Sequence, residues 1–291
     1  MSTSADIFIS SSCGPEAIDC VFSPPCGAPR KLGLELGCSP SRGDVDSLIA
    51  RAAKQDIPLL AHNYFYPHNE TLVVNLSDPD PVKRRISLDY AVAMIDYCAH
   101  NNIAAYSIHA GFACSFSLDH FSRRIALLPP IPLQDAYDFF VANLRILAEQ
   151  AARHKIALLF ENNVLTHENL LEGSNRHLLC VTSEDILYVL NRVGREDVQV
   201  LLDLGHLKVS AATLGLSAMD EARRLARFVG QVHIHDNDGE EDLHGPASRQ
   251  SWFWRMPLPC GIPFTIEQPD EGRDAIMSQI TLLQEMRRTD A

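Results

Sequence analysis

Eight short apolar runs, separated by helix-like stretches, constrain the fold of this chain more than any other feature. They are DIFIS (6–10), KLGLEL (31–36), IPLLAH (57–62), AAYSIH (104–109), IALLFE (156–161), VQVLLD (198–203), GQVHIH (230–235) and IPFTIE (262–267). Each is nearly continuous in apolar residues rather than alternating, which marks strands buried on both faces. Helices cover such strands when the sheet is parallel, and eight repeats of the unit predict one (β/α)8 barrel spanning residues 1–291.

The intervening helices carry their own signals. Residues 44–55 place apolar side chains at 45, 48, 49 and 52, one face of a helix. Asp80 followed by Pro81 reads as an N-cap and first helical residue for the stretch 80–102. Further helices are expected over 133–154, 183–194, 218–229 and 273–288, with Ser183 as a cap and Gly194 as a stop. Two connections are short of helical sequence. Residues 11–30 hold little more than one turn, and 247–261 offer only SRQSWFW, so abbreviated helices are expected after strands one and seven.

Composition excludes several functions. Lys and Arg total 25 against 37 Asp and Glu, a formal charge of −12 that repels polyanions, so nucleic acid is not an expected partner. No apolar run is long enough to span a bilayer and no leader pattern is present, so a cytoplasmic protein without membrane attachment is the expectation. The eight cysteines, at 13, 20, 26, 38, 98, 114, 180 and 260, form no CxxC spacing and read as free, mostly buried thiols; the four before residue 40 leave a redox or metal role open.

The chemistry collects at the strand ends. His62, His109, Glu161, Asp203, His233 and Glu267 each fall at or just past the end of a different run. In a (β/α)8 barrel the carboxyl ends of the strands share one mouth, so six imidazoles or carboxylates would converge there. Such donors suit a divalent cation: Mn, Mg, Co, Fe and Zn are all admissible by ligand type. Asp203 and His206, in DLGH, could both reach the mouth, although Asp203 could equally cap the next helix. Glu35 ends the second run and could pair with a ligand histidine. His235 faces the same side as His233 by strand alternation. Asn162 and Asn163 could orient Glu161 or simply turn the chain, and Trp252 and Trp254 could wall a ligand or pack where a helix is missing.

FEN after strand five, DLGH after strand six, VHIHD on strand seven and IEQ on strand eight together resemble the xylose isomerase-like TIM-barrel superfamily, from strand two to the last helix. In its epimerase branch, residues resembling Glu161, Asp203, His233 and Glu267 hold one divalent ion, and the two glutamates also move protons. His206 resembles the residue that binds substrate oxygen. The resemblance thus implies a metal-dependent sugar or sugar-phosphate isomerase or epimerase working through an enediolate, with a small carbohydrate as substrate. A homodimer through the outer helices is a further implication.

The chain also resembles the endonuclease IV branch. His62 in AHNYFYP, His109 in IHAGF, and Asp242 with His244 in DLH match additional ligands there, with His206, and would raise one ion to two or three. That resemblance implies a multinuclear phosphodiesterase, opposed by the acidic charge. An oxidative iron enzyme and a non-catalytic metal- or sugar-binding barrel stay open beside them.

Overall fold

The computed structural model describes residues 6–24, 31–37, 41–66, 72–116, 125–257, 259, 261–269 and 272–288. Eight parallel strands close into a barrel in chain order, the first hydrogen-bonded to the last. They are β1 Ile7–Ser10, β2 Gly33–Leu36, β3 Leu59–His62, β4 Ala105–His109, β5 Ala157–Glu161, β6 Val198–Asp203, β7 Val229–Ile234 and β8 Phe264–Ile266. Each lies within a residue or two of an expected run.

The helices are α1 Pro15–Phe22, α2 Arg42–Gln55, α3 Pro81–His100, α4 Leu133–His154, α5 Ser183–Val193, α6 Leu204–Leu214, α7 Ala218–Leu225 and α8 Arg273–Arg288. The expected shortening is present: α1 has eight residues, somewhat more than the single turn anticipated, and β7 is followed only by a four-residue 3-10 turn, Trp252–Arg255. Trp252 and Trp254 pack against the hydrophobic core there. The Trp254 indole donates to the Ser248 carbonyl at 2.6 Å, so the aromatic pair substitutes for a helix.

Capping follows the sequence with one correction. Asp80 accepts from Val82 N, and Gly194 ends α5 with φ 66°. The cap of α5 is Thr182 rather than Ser183: Thr182 and Asp185 satisfy each other's backbone N–H groups in a capping box. Ser183, buried inside the first turn, donates its N–H to Glu221 at 2.6 Å.

Strand alternation layers the barrel interior. Phe8, Leu60, Ala105, Leu159 and Leu201 form a closed apolar floor, separate from the core between strands and helices. Gly33 is needed beside it, because a Cβ there would lie 2.2 Å from the Phe8 ring. Two residues beyond Leu60, Leu159 and Leu201 stand His62, Glu161 and Asp203, so the period of two that buries the floor also points these groups into the mouth. Five cysteines among the described residues, 13, 20, 98, 114 and 180, are buried, and burial pushes the Cys13 thiol up to about 12. Cys26, Cys38 and Cys260 lie outside the described residues. No helix among the described residues is long and apolar enough to cross a membrane.

Candidate metal centre

All nine candidate ligands, joined by His235, meet at the mouth, in three groups whose donor atoms lie within 4.8 Å of one another within each group: Glu161, Asp203, His233 and Glu267; His62, His109 and Glu161; and His206, His235, Asp242 and His244. Glu161 belongs to two groups because its oxygens face different ways. Oε1 lies 3.5 Å from His206 Nδ1 and 3.5 Å from His233 Nδ1, whereas Oε2 lies 3.4 Å from His62 Nε2 and 3.3 Å from His109 Nε2.

The histidines are aimed by groups behind them. His62 Nδ1 is 2.9 Å from Ser107 Oγ, whose hydroxyl donates to the Ala61 carbonyl, so the ring donates through Nδ1 and turns an unprotonated Nε2 toward His109 Nε2, 3.1 Å away. His206 Nδ1 donates to the Asn162 carbonyl at 3.0 Å, and His244 Nδ1 to the Glu267 carbonyl at 3.1 Å. Glu35 Oε1 lies 2.8 Å from His233 Nε2, leaving Nδ1 turned to Glu267 Oε2 at 2.9 Å. Such partners fix tautomer and ring orientation, the usual support of a metal-binding imidazole.

Asp203 does two jobs. Its Oδ1 caps α6 by accepting from His206 N at 2.7 Å, and its Oδ2 lies 2.9 Å from His235 Nε2 and 3.8 Å from His233 Nδ1. The cap and the ligand are the same residue. Asn162 clamps it, donating to the Asp203 carbonyl at 3.0 Å and accepting from Asp203 N at 2.8 Å. Asn163 instead donates to the carbonyls of Ala110, Gly111 and Leu179, tying together the loops after β4 and β5.

The loop after β7 is folded back by a second set of contacts. Asp236 and Gly245 pair across its neck, with Asp236 N donating to Gly245 O at 2.8 Å. Lys208 on α6 reaches Asp236 at 2.7 Å, and Ser251 Oγ donates to the same carboxylate at 2.6 Å. The loop thereby brings Asp242 Oδ2 to 3.2 Å from both His206 Nε2 and His244 Nε2. His244 adopts φ 49°, a left-handed backbone that a non-glycine residue holds only when its surroundings compel it. His235 stacks on the His244 ring at 3.9 Å.

Gly205 makes room for that stack. A Cβ on Gly205 would sit 1.9 Å from His235 Cε1, and the His235 ring is buried. Gly205→Ala is therefore expected to destabilise the protein by about 1–3 kcal/mol, the usual cost of overpacking. A Gly205→Ala/His235→Ala pair should recover most of the loss in denaturant titrations; no recovery would mean the ring is not the obstacle.

Electrostatics agree with a cation site. Burial raises the Glu161 carboxyl, but the imidazoles of His109, His62, His233 and His206 outweigh it and hold the group at about 2. Burial opposes protonation of His244, yet Asp242 lifts it to about 9. His206 and His233 are raised against burial too, chiefly by Asp203 and by Glu35 with Glu267 respectively. His109 has more burial than compensation and falls to about 4. Buried protons thus sit between carboxylates and imidazoles where a divalent ion would serve the same charges. Several buried ligand-type atoms also lack a well-formed hydrogen bond: Glu161 Oε2, Asp242 Oδ1 and His233 Nδ1 face neighbouring imidazoles or carboxylates without making one. Poorly paired buried polar atoms are costly, so this donor set fits metal ions better than it fits itself.

A cavity of about 490 Å³ opens over the cluster, with His62, His109, Glu161, His206, Asp242 and Glu267 in its lining. The orienting roles of Ser107 and of the Asn162 carbonyl were not anticipated. Ser107 was within reach, because it stands two residues before His109 and so faces inward.

The family model for the xylose isomerase-like TIM barrel matches residues 29–277. None of the curated proteins compared with the chain matches it. Similar solved structures include a D-tagatose 3-epimerase-like protein, 14% identical with TM-score 0.69 over 98% of this chain and 97% of that one. A 3-keto-D-glucoside 4-epimerase from E. coli is 15% identical, with TM-score 0.67 over 98% and 99%. A Thermus thermophilus protein soaked with ZnCl2 is 18% identical, with TM-score 0.61 over 96% and 98%. At these identities the likeness is one of fold.

Proposed function

Because the chain belongs to the xylose isomerase-like TIM-barrel family, we propose that it is a divalent-metal-dependent isomerase or epimerase of a small carbohydrate, transferring protons between carbon and the carboxylates of Glu161 and Glu267. The observation that carries this reading is the meeting of those two carboxylates at His233 Nδ1, with Asp203 beside them and the cavity above. A divalent ion held by Glu161, Asp203, His233 and Glu267 would supply Lewis-acid stabilisation of the negative charge that develops on a carbonyl oxygen. The residues do the rest. One glutamate, ionised, takes the proton from the carbon beside the carbonyl, and the other, which must enter the step protonated, returns its own proton to that carbon. Glu267 is the more accessible of the two, with side-chain exposure of 17% against 1% for Glu161, and the Ser12 hydroxyl donates to its Oε1 at 3.4 Å. The epimerase-like and epimerase proteins among the similar structures support the same class.

A second reading is hydrolysis of a phosphate ester by a multinuclear centre. It is favoured by the two additional donor groups and by the position of Glu161, which belongs to two groups and could serve more than one ion. In that case Glu161 would no longer be a free base, and His206 would be a ligand rather than a substrate contact.

The deciding experiment is solvent exchange. Protein loaded with Mn²⁺, Co²⁺ or Zn²⁺ is incubated in D2O with a panel of ketopentoses, ketohexoses and their phosphates and followed by proton NMR. Deuterium should enter beside the carbonyl of at least one substrate, and Glu267→Gln should abolish it. Hydrolysis of p-nitrophenyl phosphate or bis(p-nitrophenyl) phosphate without any exchange would overturn the proposal in favour of the second reading. Neither activity, with metal retained, would point to a binding barrel.

A further inference from the structure

The polar cluster occupies only part of the cavity. Among the described residues, the apolar part of the remaining wall is chiefly Val73, Val74, Phe112, Phe116, Ile125 and Leu178, from the loops that follow β3, β4 and β5, while Asn63, Tyr64, Asn163 and Asn169 line the cavity elsewhere. This wall is built rather than incidental. Ile125 and Leu178 belong to a hydrophobic cluster of their own, separate from the barrel core, against which Phe112 and Phe116 pack. The two phenyl rings lie 5.9 Å apart.

The backbone beneath them is held firmly. Phe112 pairs with Leu178 across the two loops, and Ala113 N donates to His177 O at 2.6 Å. Asn75, itself buried, donates to the carbonyls of Phe112 and Cys114 at 3.0 and 3.1 Å, and its Oδ1 accepts from Phe112 N at 3.0 Å. Val74 is fixed by donating its N–H to the Tyr64 hydroxyl at 2.7 Å. The wall is therefore preorganised, and it is continuous with the ligand cluster in one cavity.

A fully hydroxylated sugar does not suit both ends. Hydroxyls directed at valine, isoleucine and leucine side chains would lose water and gain no hydrogen bond, which disfavours binding. An apolar group there would instead remove both surfaces from water. Resting on the metal-dependent reading only to decide which end holds the reacting atoms, we infer that the substrate carries an apolar substituent, of aryl or branched-alkyl size, on the part that points away from the metal ligands.

Three probes test this by calorimetry and by methyl NMR of labelled protein. Acetohydroxamate and benzohydroxamate share a metal-chelating head and differ in their tails; benzyl alcohol carries a ring with no chelating head. After correction for affinity toward the free ion, benzohydroxamate should bind Zn²⁺-loaded protein about 10-fold or more tighter than acetohydroxamate. It should also shift the methyl signals of Val73, Val74, Ile125 and Leu178. Benzyl alcohol should shift the same methyls in metal-free protein. Val73→Asn, at a partly exposed position, should narrow the ratio between the two hydroxamates. Equal affinities with those methyls unmoved would overturn the inference. If neither hydroxamate binds while benzyl alcohol still moves the methyls, the apolar subsite stands and the metal-dependent reading fails.

Discussion

Stripping divalent ions from the protein should abolish turnover and lower its melting temperature by roughly 4 °C relative to protein in about 100-fold excess of an ion over its dissociation constant. An ion that binds the folded state alone adds about 2.7 kcal/mol of stability at that excess. The buried mouth makes the dependence strong. Glu161, Asp203 and His233 are almost wholly buried, and atoms without a well-formed hydrogen bond remain among them when no ion pairs them. Elemental analysis should accompany the melting curves. About one ion per chain is expected, unchanged in a folded His62→Ala/His109→Ala/His244→Ala variant; two or three, falling to one in that variant, would favour the multinuclear reading. A melting temperature indifferent to chelator, in protein shown to have held metal, would mean that the cluster is not the binding site.

Glu161→Gln should be the most damaging single substitution, costing about 10³-fold or more in rate. It removes one negative charge from two donor groups at once, since Oε1 faces His206 and His233 while Oε2 faces His62 and His109. Glu267→Gln should cost about 10²–10⁴-fold, the range of a lost proton-transfer group, but should spare any ion held by His62, His109 and Glu161. Metal content and turnover measured on both variants separate the roles. Equal metal loss in the two would remove the argument that Glu161 is the shared ligand.

The barrel was legible because its strands carry an unmixed signal: runs buried on both faces, six of the eight ending in an imidazole or a carboxylate. The same alternation that placed Leu60, Leu159 and Leu201 on the floor placed His62, Glu161 and Asp203 above it. Other parts resisted for physical reasons. The bounds of α6 were not read, because Leu204, Leu207, Val209 and Ala211 are all buried and leave little polar face to set a helical period. Thr182 and Ser183 are adjacent residues of equal capping ability, and only Asp185, three positions after Thr182, distinguishes them. The Asn162 clamp on Asp203 and the Lys208 tether to Asp236 join residues far apart in sequence, and no local pattern announces them. His235 was correctly placed on the side of His233, but its stack on His244 and its dependence on Gly205 emerge only in three dimensions.

The closure of β1 on β8 sets an order in which the ion sites can come into being during synthesis. A chain leaving the ribosome has His62, His109 and Glu161 in hand once β5 has emerged, more than a hundred residues before Glu267. The group built on those three can gather while the barrel is still an open, half-made sheet. The group that needs Glu267 cannot be complete until the last strand has been made and seated against the first. An ion captured early would be held by the His62 side alone, and the proposed four-residue centre would be complete only once β8 has paired with β1.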